Sequence, residues 1–222
     1  MTKEQQIKLI HGDCLEVMKN IPDNSIDLIV TDPPYLINYK SNWCMSKQIL
    51  GDSEYDLIKN SIKEMYRVLK NNSAAYIFCS PKKVDYFIRY CQSAGFVIKN
   101  SIVWVKNNWT SGDLKAQYGQ QHEIILLLNK GRKYINGKRL TDVWFFDRVA
   151  FQNQYHQNEK PVKLLEQCII KHSDEGDIIL DPFMGSASTG IACFNTGRQF
   201  IGIEKDAKYY EIAMQRMKEQ HS

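Results

Sequence analysis

A strand-ending tetrapeptide with two prolines constrains this chain more than any other feature. The apolar run from Ile26 to Val30 predicts a buried strand, and Asp32-Pro33-Pro34-Tyr35 follows it almost at once. Each proline fixes its own φ at about −65° and cannot donate a backbone hydrogen bond, and the residue before a proline is kept out of the helical region. The sequence therefore predicts a stiff loop at the carboxyl end of a strand, where open α/β sheets bind their ligands.

The side chains of this loop suit a planar group that carries an amino function. The Asp32 carboxylate and the Pro33 carbonyl oxygen can accept both hydrogens of an NH2 group, while the Tyr35 ring stacks on the flat face. An ordinary strand-ending turn is the simpler alternative, because Asp-Pro is common in turns. The rest of the chain favours the functional interpretation.

The remaining sequence alternates strand and helix patterns, which is typical of an α/β fold. The short crossover between the first two strands indicates that they are parallel neighbours, and the strand at 122–128 looks like part of an antiparallel pair. Predicted strands cover 7–10, 26–30, 74–79, 96–105, 122–128, 177–180 and 200–203, and predicted helices cover 14–21, 54–70, 81–91, 160–171, a segment ending at 195, and 206–218.

Composition excludes several classes of protein. The 222 residues suffice for a single domain, and 29 basic against 25 acidic residues give a mildly basic net charge of +4, which is compatible with nucleic acid. The six cysteines form no C-x-x-C pair, so we expect no metal site and reduced thiols. The longest apolar run, 124–128, is too short to span a membrane, and residues 1–6 lack the apolar core of a signal peptide. We expect a cytoplasmic protein.

A second stretch predicts a nucleotide site. The strand 177–180 ends in Asp181, a loop of small residues with Gly185 leads into a helix, and the following strand ends in Glu204. Glu204 can accept two ribose hydroxyls, whereas Asp181 would repel a pyrophosphate and attract a cationic amino group. The G-x-G-x-x-G pattern of dinucleotide sites is missing, which counts against a nicotinamide oxidoreductase. S-adenosylmethionine fits these residues, although the small residues could also serve packing alone.

Taken together, these stretches resemble the amino-methyltransferases of DNA, in the permuted motif order called the beta group. The resemblance covers roughly residues 7–215, and one departure is Ala187, where the family usually has a second glycine. If that position needs a positive φ, cofactor affinity would suffer; in the first turn of a helix, alanine would be harmless. The matching residues are Gly12-Asp13, Asp32-Pro33-Pro34-Tyr35, His156 with Lys160-Pro161, Asp181-Pro182-Phe183-Met184-Gly185-Ser186 and Gly202-Ile203-Glu204.

The resemblance implies a fold and a division of roles. The expected fold is a Rossmann-like S-adenosylmethionine-dependent methyltransferase fold, with a seven-stranded, mostly parallel sheet and one antiparallel strand. The strands 26–30 and 177–180 should be central neighbours, so that Asp181 and Glu204 lie beside Asp32. The implied catalytic residues are Asp32, Pro33, Pro34 and Tyr35, and the implied cofactor-binding residues are Asp13, His156, Lys160, Pro161, Asp181, Phe183, Gly185, Ser186 and Glu204.

In this family an aspartate at the first position of the tetrapeptide mostly accompanies N6 of adenine, so the resemblance favours adenine over N4 of cytosine. A methyltransferase acting on RNA or protein, which usually has asparagine there, is a further alternative. A non-catalytic DNA-binding subunit is disfavoured because Asp32 and Tyr35 are both present.

DNA is the expected partner of a single domain that spans residues 1–222. Recognition should fall to loops 36–53 and 106–121 and to segment 130–158. Within that segment, residues 130–139 hold five basic residues around the Asn136-Gly137 signal of a type I′ hairpin. These few segments are little for reading a long DNA sequence, so we expect a short recognition site, relaxed specificity or a homodimer. A cognate restriction endonuclease would act independently of this protein. The predicted DNA contacts are Lys40, Lys47, Lys106, Arg132, Lys133, Lys138 and Arg139; a solvated basic ribbon is the alternative for the last four.

Overall fold

The computed structural model describes residues 6–35, 55–110, 112–149 and 159–220. In these residues one mixed sheet is flanked by helices, with the strand order β1-β8-β7-β2-β3-β5-β4-β6. The strands are β1 (Ile7–His11), β2 (Ile26–Thr31), β3 (Leu69–Cys79), β4 (Val97–Val105), β5 (His122–Lys130), β6 (Val143–Phe145), β7 (Ile178–Asp181) and β8 (Gln199–Glu204). The helices are α1 (Cys14–Met18), α2 (Tyr55–Val68), α3 (Val84–Ala94), α4 (Val162–His172), α5 (Ser188–Asn195) and α6 (Ala207–Glu219).

The strand count and one strand pairing differ from the sequence prediction. The sheet has eight strands rather than seven, because β6 adds a three-residue edge strand parallel to β4. A strand of that length is too short for a periodic pattern. The prediction that β1 and β2 are neighbours was wrong: β8 and β7 lie between them, since the chain returns to fill that space with its last strands. The single antiparallel strand is confirmed as β5, which runs opposite to both β3 and β4.

The parallel strands bring the predicted site residues to one edge of the sheet, here called the carboxyl edge. β7 pairs with β2 on one side and with β8 on the other. The strand ends at Asp181, Glu204 and Thr31 are therefore adjacent, which confirms the predicted central arrangement. Because β5 is antiparallel, its first residues lie at this same edge, and Glu123 is opposite Trp104 of β4.

Both faces of the sheet are covered, which explains the nearly continuous apolar strands. Along β3, Tyr76 and Phe78 point to one core and Ile77 points to the other, and all three are buried. Helices α4 and α5 cover the first face, and α2 and α3 cover the second. Within the described ranges, no helix is long and apolar enough to cross a membrane.

The basic segment after β5 is not a hairpin. Residues 131–142 belong to no strand, and Asn136 lacks the positive φ that a type I′ turn requires, whereas Gly137 has φ 65°. The backbone N–H of Asn136 instead donates to the carbonyl oxygen of Lys171 at the end of α4, at 2.9 Å. Lys130 is buried, and its ammonium donates to the carbonyl oxygens of Tyr66 and Leu69 at 2.8 Å each. The local Asn-Gly signal was overridden by these tertiary hydrogen bonds.

Candidate active site at the carboxyl edge

The loop after β2 presents Asp32 to a lysine from a distant part of the chain. The ammonium of Lys160, which lies just before α4 and is buried, donates a hydrogen bond to Oδ2 of Asp32. The other carboxylate oxygen, Oδ1, is buried and has no hydrogen-bond partner in the part of the chain that the structure describes. Because a buried acceptor without a partner is costly, this oxygen is a candidate for holding a ligand.

Tyr35 is held from the opposite side of the site by Glu123 at the start of β5. The Tyr35 hydroxyl donates to Oε2 of Glu123 at 2.6 Å, and the Lys106 ammonium donates to Oε1. The Lys160 ammonium is 3.4 Å from Oε2 of Glu123 and 5.2 Å from the centre of the Tyr35 ring. The loop after β2 is thus tied to the end of β4, to β5 and to the segment before α4 by a cluster of charged and polar side chains. We call these five residues the charge cluster: Asp32, Tyr35, Lys106, Glu123 and Lys160.

The two carboxyl groups of the charge cluster differ in acidity. Burial would raise the pKa of Glu123, but the charges of Lys160 and Lys106 outweigh it and lower that pKa to about 2. Burial raises the pKa of Asp32 above its ordinary value, against the opposing effect of Lys160 and with the help of the Glu123 charge. Glu123 is therefore firmly ionised, and Asp32 is the better proton acceptor of the two.

Asp181 is buried at the end of β7 and connects the two halves of the site. Its Oδ1 accepts hydrogen bonds from the Thr31 hydroxyl at 2.7 Å and the Phe183 N–H at 3.1 Å, and its Oδ2 accepts from Thr189 at 2.7 Å. Burial raises the pKa of Asp181 to about 6. These bonds fix the loop after β7 directly to the strand that carries Asp32.

Glu204 and Asp13 provide carboxylates at the ends of β8 and β1. Oε2 of Glu204 accepts the Gly185 N–H at 2.9 Å and Oε1 accepts the Asp206 N–H at 2.7 Å, which leaves each oxygen a second lone pair for a ribose hydroxyl. Asp13 caps α1 by accepting the Leu15 N–H at 2.9 Å, and Lys205 donates to its Oδ2 at 3.0 Å. Acceptors at adjacent strand ends fit the hydroxyls and cationic tail of S-adenosylmethionine.

The loop from Gly185 to Ala187 turns sharply into α5. Ala187 is fully buried and has φ 63° and ψ 34°, the left-handed conformation that costs an L-residue about 1–2 kcal/mol. The position where the family usually has glycine therefore does require a positive φ. Arg216 of α6 holds the loop, because it donates to the carbonyl oxygen of Ser186 at 2.8 Å and to the Ser188 hydroxyl at 3.4 Å.

Replacing Ala187 by glycine is expected to stabilise the protein by up to about 1 kcal/mol. Glycine avoids the steric cost of about 1–2 kcal/mol, and the upper end of this gain exceeds the sum of the extra backbone entropy that glycine loses on folding and the burial of one methyl group, about 0.8 kcal/mol. The midpoint of thermal unfolding should rise by about 2–4 °C per kcal/mol. Calorimetry of both proteins, without and with S-adenosylmethionine, checks the result.

Ala192 is the matched control for this substitution. It is also fully buried but lies inside α5, where glycine costs about 0.5–1 kcal/mol relative to alanine. Ala192→Gly should therefore lower the unfolding midpoint. Parallel destabilisation by both variants would show that the left-handed backbone of Ala187 stores no relievable strain.

The predicted site residues fall into three groups. The first group comes together at the carboxyl edge or lies in the segments that connect the strand ends there. It consists of Asp13, Asp32, Pro33, Pro34, Tyr35, Pro161, Asp181, Phe183, Gly185, Ser186 and Glu204. Lys160 contacts Asp32 and Glu123 rather than the acids at the ends of β7 and β8. The third group lies outside the described residues. It consists of Lys40, Lys47 and His156, with the loop 36–53 and the end of segment 130–158.

The predicted DNA contacts divide between two edges of the sheet. Lys106 belongs to the charge cluster at the carboxyl edge. Arg132 and Lys133 follow the end of β5, which pairs with the start of β3, and this is on the order of 25 Å from the carboxyl edge along the strand. Lys138 lies beside Lys171 at the end of α4, with its carbonyl oxygen 2.7 Å from that ammonium, and Arg139 lines a cavity of about 190 Å³ over Tyr76 and His172.

Sequence reasoning missed Glu123, Glu159 and Arg216. Glu123 carried a usable signal, because it is a carboxylate at the start of an otherwise apolar strand, and an antiparallel strand begins where its parallel neighbours end. Glu159 and Arg216 form a buried ion pair at 2.7 Å, but they are 57 positions apart and neither stands in a local pattern.

Three features indicate the class of protein: the sheet order, the stiff loop that carries Asp32, and the acids at the ends of β7 and β8. Together they fit an S-adenosylmethionine-dependent methyltransferase that acts on amino groups. Comparison with known proteins gives the family. The chain matches the DNA methylase family over residues 26–215, and it belongs to that family.

Individual relatives agree with this assignment. DNA adenine methyltransferase YhdJ of Escherichia coli (strain K12) is 32% identical over 243 residues, covering 94% of this chain and 82% of that protein. Type II methyltransferase M.HpaI of Haemophilus parainfluenzae is 32% identical over 236 residues, covering 95% and 74%. The crystal structure of the M1.HpyAVI–SAM complex superimposes with a TM-score of 0.76 at 31% identity, covering 96% of this chain and 99% of that one. The protein is thus a DNA amino-methyltransferase that uses S-adenosylmethionine.

Proposed function

We propose that this protein transfers a methyl group to N6 of adenine at specific sites in DNA. The observation that carries the proposal is the Asp32 carboxylate, with one oxygen held by Lys160 and the other without a partner among the described residues. The exocyclic amino group of a base is the kind of donor that the second oxygen needs. Aspartate at this position also accompanies adenine in most enzymes that this sequence resembles.

The mechanism follows from how this loop would hold the amino group. The target base leaves the duplex stack and lies against Tyr35. Oδ1 of Asp32 and the carbonyl oxygen of Pro33 each accept a hydrogen bond from one N–H of the base's amino group. The lone pair of that amino nitrogen then points away from the loop. When bound, S-adenosylmethionine would supply the methyl group as an electrophile on its sulfonium sulfur, and the electron pair of the broken C–S bond would stay on that sulfur as a neutral thioether. Fixed orientation is the main source of rate, and the proton released from the methylated nitrogen passes along its hydrogen bond to Asp32.

The cofactor assignment to particular residues is part of the proposal. Glu204 accepts the ribose hydroxyls, Asp181 with the loop from Gly185 to Ser186 supports the amino acid end of the cofactor, and Asp13 and Phe183 complete the pocket. The free lone pairs of Glu204 and the rigid hydrogen bonds of Asp181 support these roles. We also keep His156 as a proposed cofactor residue on the resemblance alone.

The product nucleoside tests the choice of base. DNA from a host without its own amino-methylation, expressing this chain, is digested and analysed by mass spectrometry for N6-methyldeoxyadenosine and N4-methyldeoxycytidine. We expect the adenine product alone, and sequencing of the modified positions should give one short motif. The cytosine product alone would preserve the mechanism and reject adenine; methylation of RNA or protein but not of DNA would reject the substrate class.

The arm at 106–121, described except for residue 111, is the segment that we propose for DNA contact. It continues β4 and β5 beyond the sheet, with the Thr110 N–H donating to the carbonyl oxygen of Gln120 at 3.0 Å. Trp109, Leu114 and Tyr118 are exposed on it, next to the charge cluster. Their location favours this arm over Arg132 and Lys133 as the main contact. A homodimer and a cognate endonuclease stay predictions.

A further inference from the structure

Glu123 stands at the centre of the charge cluster. Its side chain is 12% exposed, yet the Tyr35 hydroxyl and the Lys106 ammonium donate hydrogen bonds to its two oxygens, and the Lys160 ammonium lies 3.4 Å from Oε2. A carboxylate withdrawn from water to this extent is costly unless its partners compensate for the lost hydration. Three partners from three separate segments indicate that Glu123 organises the site and is not simply a buried polar residue.

The first consequence of this arrangement concerns the Tyr35 ring. The two prolines fix the backbone before Tyr35, but they leave its side-chain torsions free. The 2.6 Å bond from the Tyr35 hydroxyl to Glu123 restrains those torsions from the opposite strand. The ring is therefore oriented before any base arrives, which lowers the entropy cost of stacking.

The second consequence concerns Lys160. Its ammonium lies between two carboxylates, bonding Oδ2 of Asp32 and standing 3.4 Å from Oε2 of Glu123. It also lies 5.5 Å from the centre of the Phe78 ring. Glu123 thus helps to keep Lys160 charged and in place, and Lys160 in turn occupies only one oxygen of Asp32. The other oxygen stays available for the amino group.

We propose that Glu123 is a positioning residue for methyl transfer, which orients Tyr35 and holds Lys160 on Oδ2 of Asp32. Glu123 does not touch the target base in this arrangement; it acts through its neighbours. The inference rests on the DNA amino-methyltransferase reaction, but not on whether the base is adenine or cytosine.

The charges in the charge cluster give this role a pH signature. Among the residues that the structure describes, the titratable groups that face Lys160 and Glu123 are Asp32, Tyr35, Lys106 and the buried thiol of Cys79. Burial disfavours the charged amine, but Asp32 and Glu123 hold the pKa of Lys160 above its ordinary value. Removing the Glu123 charge lowers the pKa of Lys160, and it also lowers the raised pKa of Tyr35. The alkaline limit of activity must then move to lower pH.

The variants Glu123→Gln and Glu123→Asp distinguish the effect of the side chain's charge from the effect of its length. Glutamine keeps the length of the side chain and an oxygen for Tyr35 but removes the charge; aspartate keeps the charge but is too short for all three partners. For Glu123→Gln we expect kcat on DNA to fall about 10- to 100-fold, the loss that accompanies a broken hydrogen bond to a charged group. Its alkaline limb should move to lower pH, because the Glu123 charge no longer holds up the pKa of Lys160. For Glu123→Asp, kcat should fall while the alkaline limb stays close to that of the wild type.

Glu166→Gln is the matched control. Glu166 is as buried as Glu123, but its partners are Lys163 at 3.0 Å and Asn195 at 2.7 Å on α4 and α5. This variant should keep the wild-type kcat and pH profile even where its unfolding midpoint falls. Affinity for S-adenosylmethionine, measured by calorimetry, should be unchanged in all three variants.

A readout without turnover completes the test. The Lys160 ammonium can be titrated by ¹³C NMR of labelled lysine, with Lys160→Arg giving the assignment, and its midpoint should fall in Glu123→Gln. An unchanged kcat, pH profile and Lys160 midpoint in Glu123→Gln would overturn the proposal. Losses equal to those of Glu166→Gln would reduce Glu123 to a structural role. A wild-type protein that methylates cytosine would reject the choice of adenine and leave this test standing.

Discussion

Asp32→Asn is expected to lower methyl transfer by about 10²–10³-fold or more, the loss typical of removing one group that is aligned with the reacting atoms. The physical reason lies in the lysine bond. Asparagine must direct its carbonyl oxygen towards the Lys160 ammonium, because two donors cannot face each other. The amide NH2 then occupies the position of Oδ1 and points a donor at the amino group of the base.

Cofactor binding should survive this change, since none of the acids at the ends of β1, β7 and β8 is altered. The measurements are single-turnover transfer of labelled methyl groups and calorimetric binding of S-adenosylmethionine. Asp27→Asn is a suitable control, because Asp27 is on the same strand and also accepts a lysine bond, from Lys70, but at the far end of the sheet. Near wild-type transfer by Asp32→Asn would mean that Asp32 does not hold the amino group.

Local patterns were sufficient for the elements that carry the site. The continuous apolar run of β2 and the prolines after it indicated where Asp32 lies, and the strand-to-helix turn after β7 did the same for Gly185. These signals are local because a buried parallel strand and a stiff turn each need only a few consecutive residues. The relation between the two halves came from the family resemblance, which implied that β2 and β7 are neighbours, and the structure confirms it through their pairing and the bond from Thr31 to Asp181.

Contacts between distant segments could not be derived in the same way. Lys160 and Asp32 are 128 positions apart, and Tyr35 and Glu123 are 88 apart, so no periodicity connects them. The Asn136-Gly137 dipeptide shows the opposite failure, because a strong local turn signal gave way to hydrogen bonds with Lys171. Strand order likewise depends on contacts between distant segments. β1 pairs with β8 because the end of the chain packs beside its beginning, and no local pattern indicates this.

Replacing Arg216 by methionine should cost about 3–5 kcal/mol of unfolding free energy, the usual loss on breaking a buried ion pair. The Arg216 guanidinium is 2.7 Å from Oε1 of Glu159, and the two side chains are 8% and 4% exposed. The same guanidinium donates to the carbonyl oxygen and hydroxyl of Ser186, at 2.8 Å each. It therefore holds the loop that carries the left-handed Ala187, and its loss should weaken cofactor binding as well as stability.

Urea unfolding and cofactor titration of Arg216→Met test both effects, and Arg89→Met is the control. Arg89 makes an i,i+4 ion pair with Asp85 at 2.8 Å, but both side chains are exposed, so its loss should cost about 0.3–0.5 kcal/mol. Adding Glu159→Gln to Arg216→Met should recover part of the stability, because it removes the buried carboxylate charge that Arg216 neutralises in the wild type. It should not recover cofactor affinity, since the Ser186 loop is still released. Equal losses in Arg216→Met and Arg89→Met would mean that the buried pair contributes no more than a solvated one.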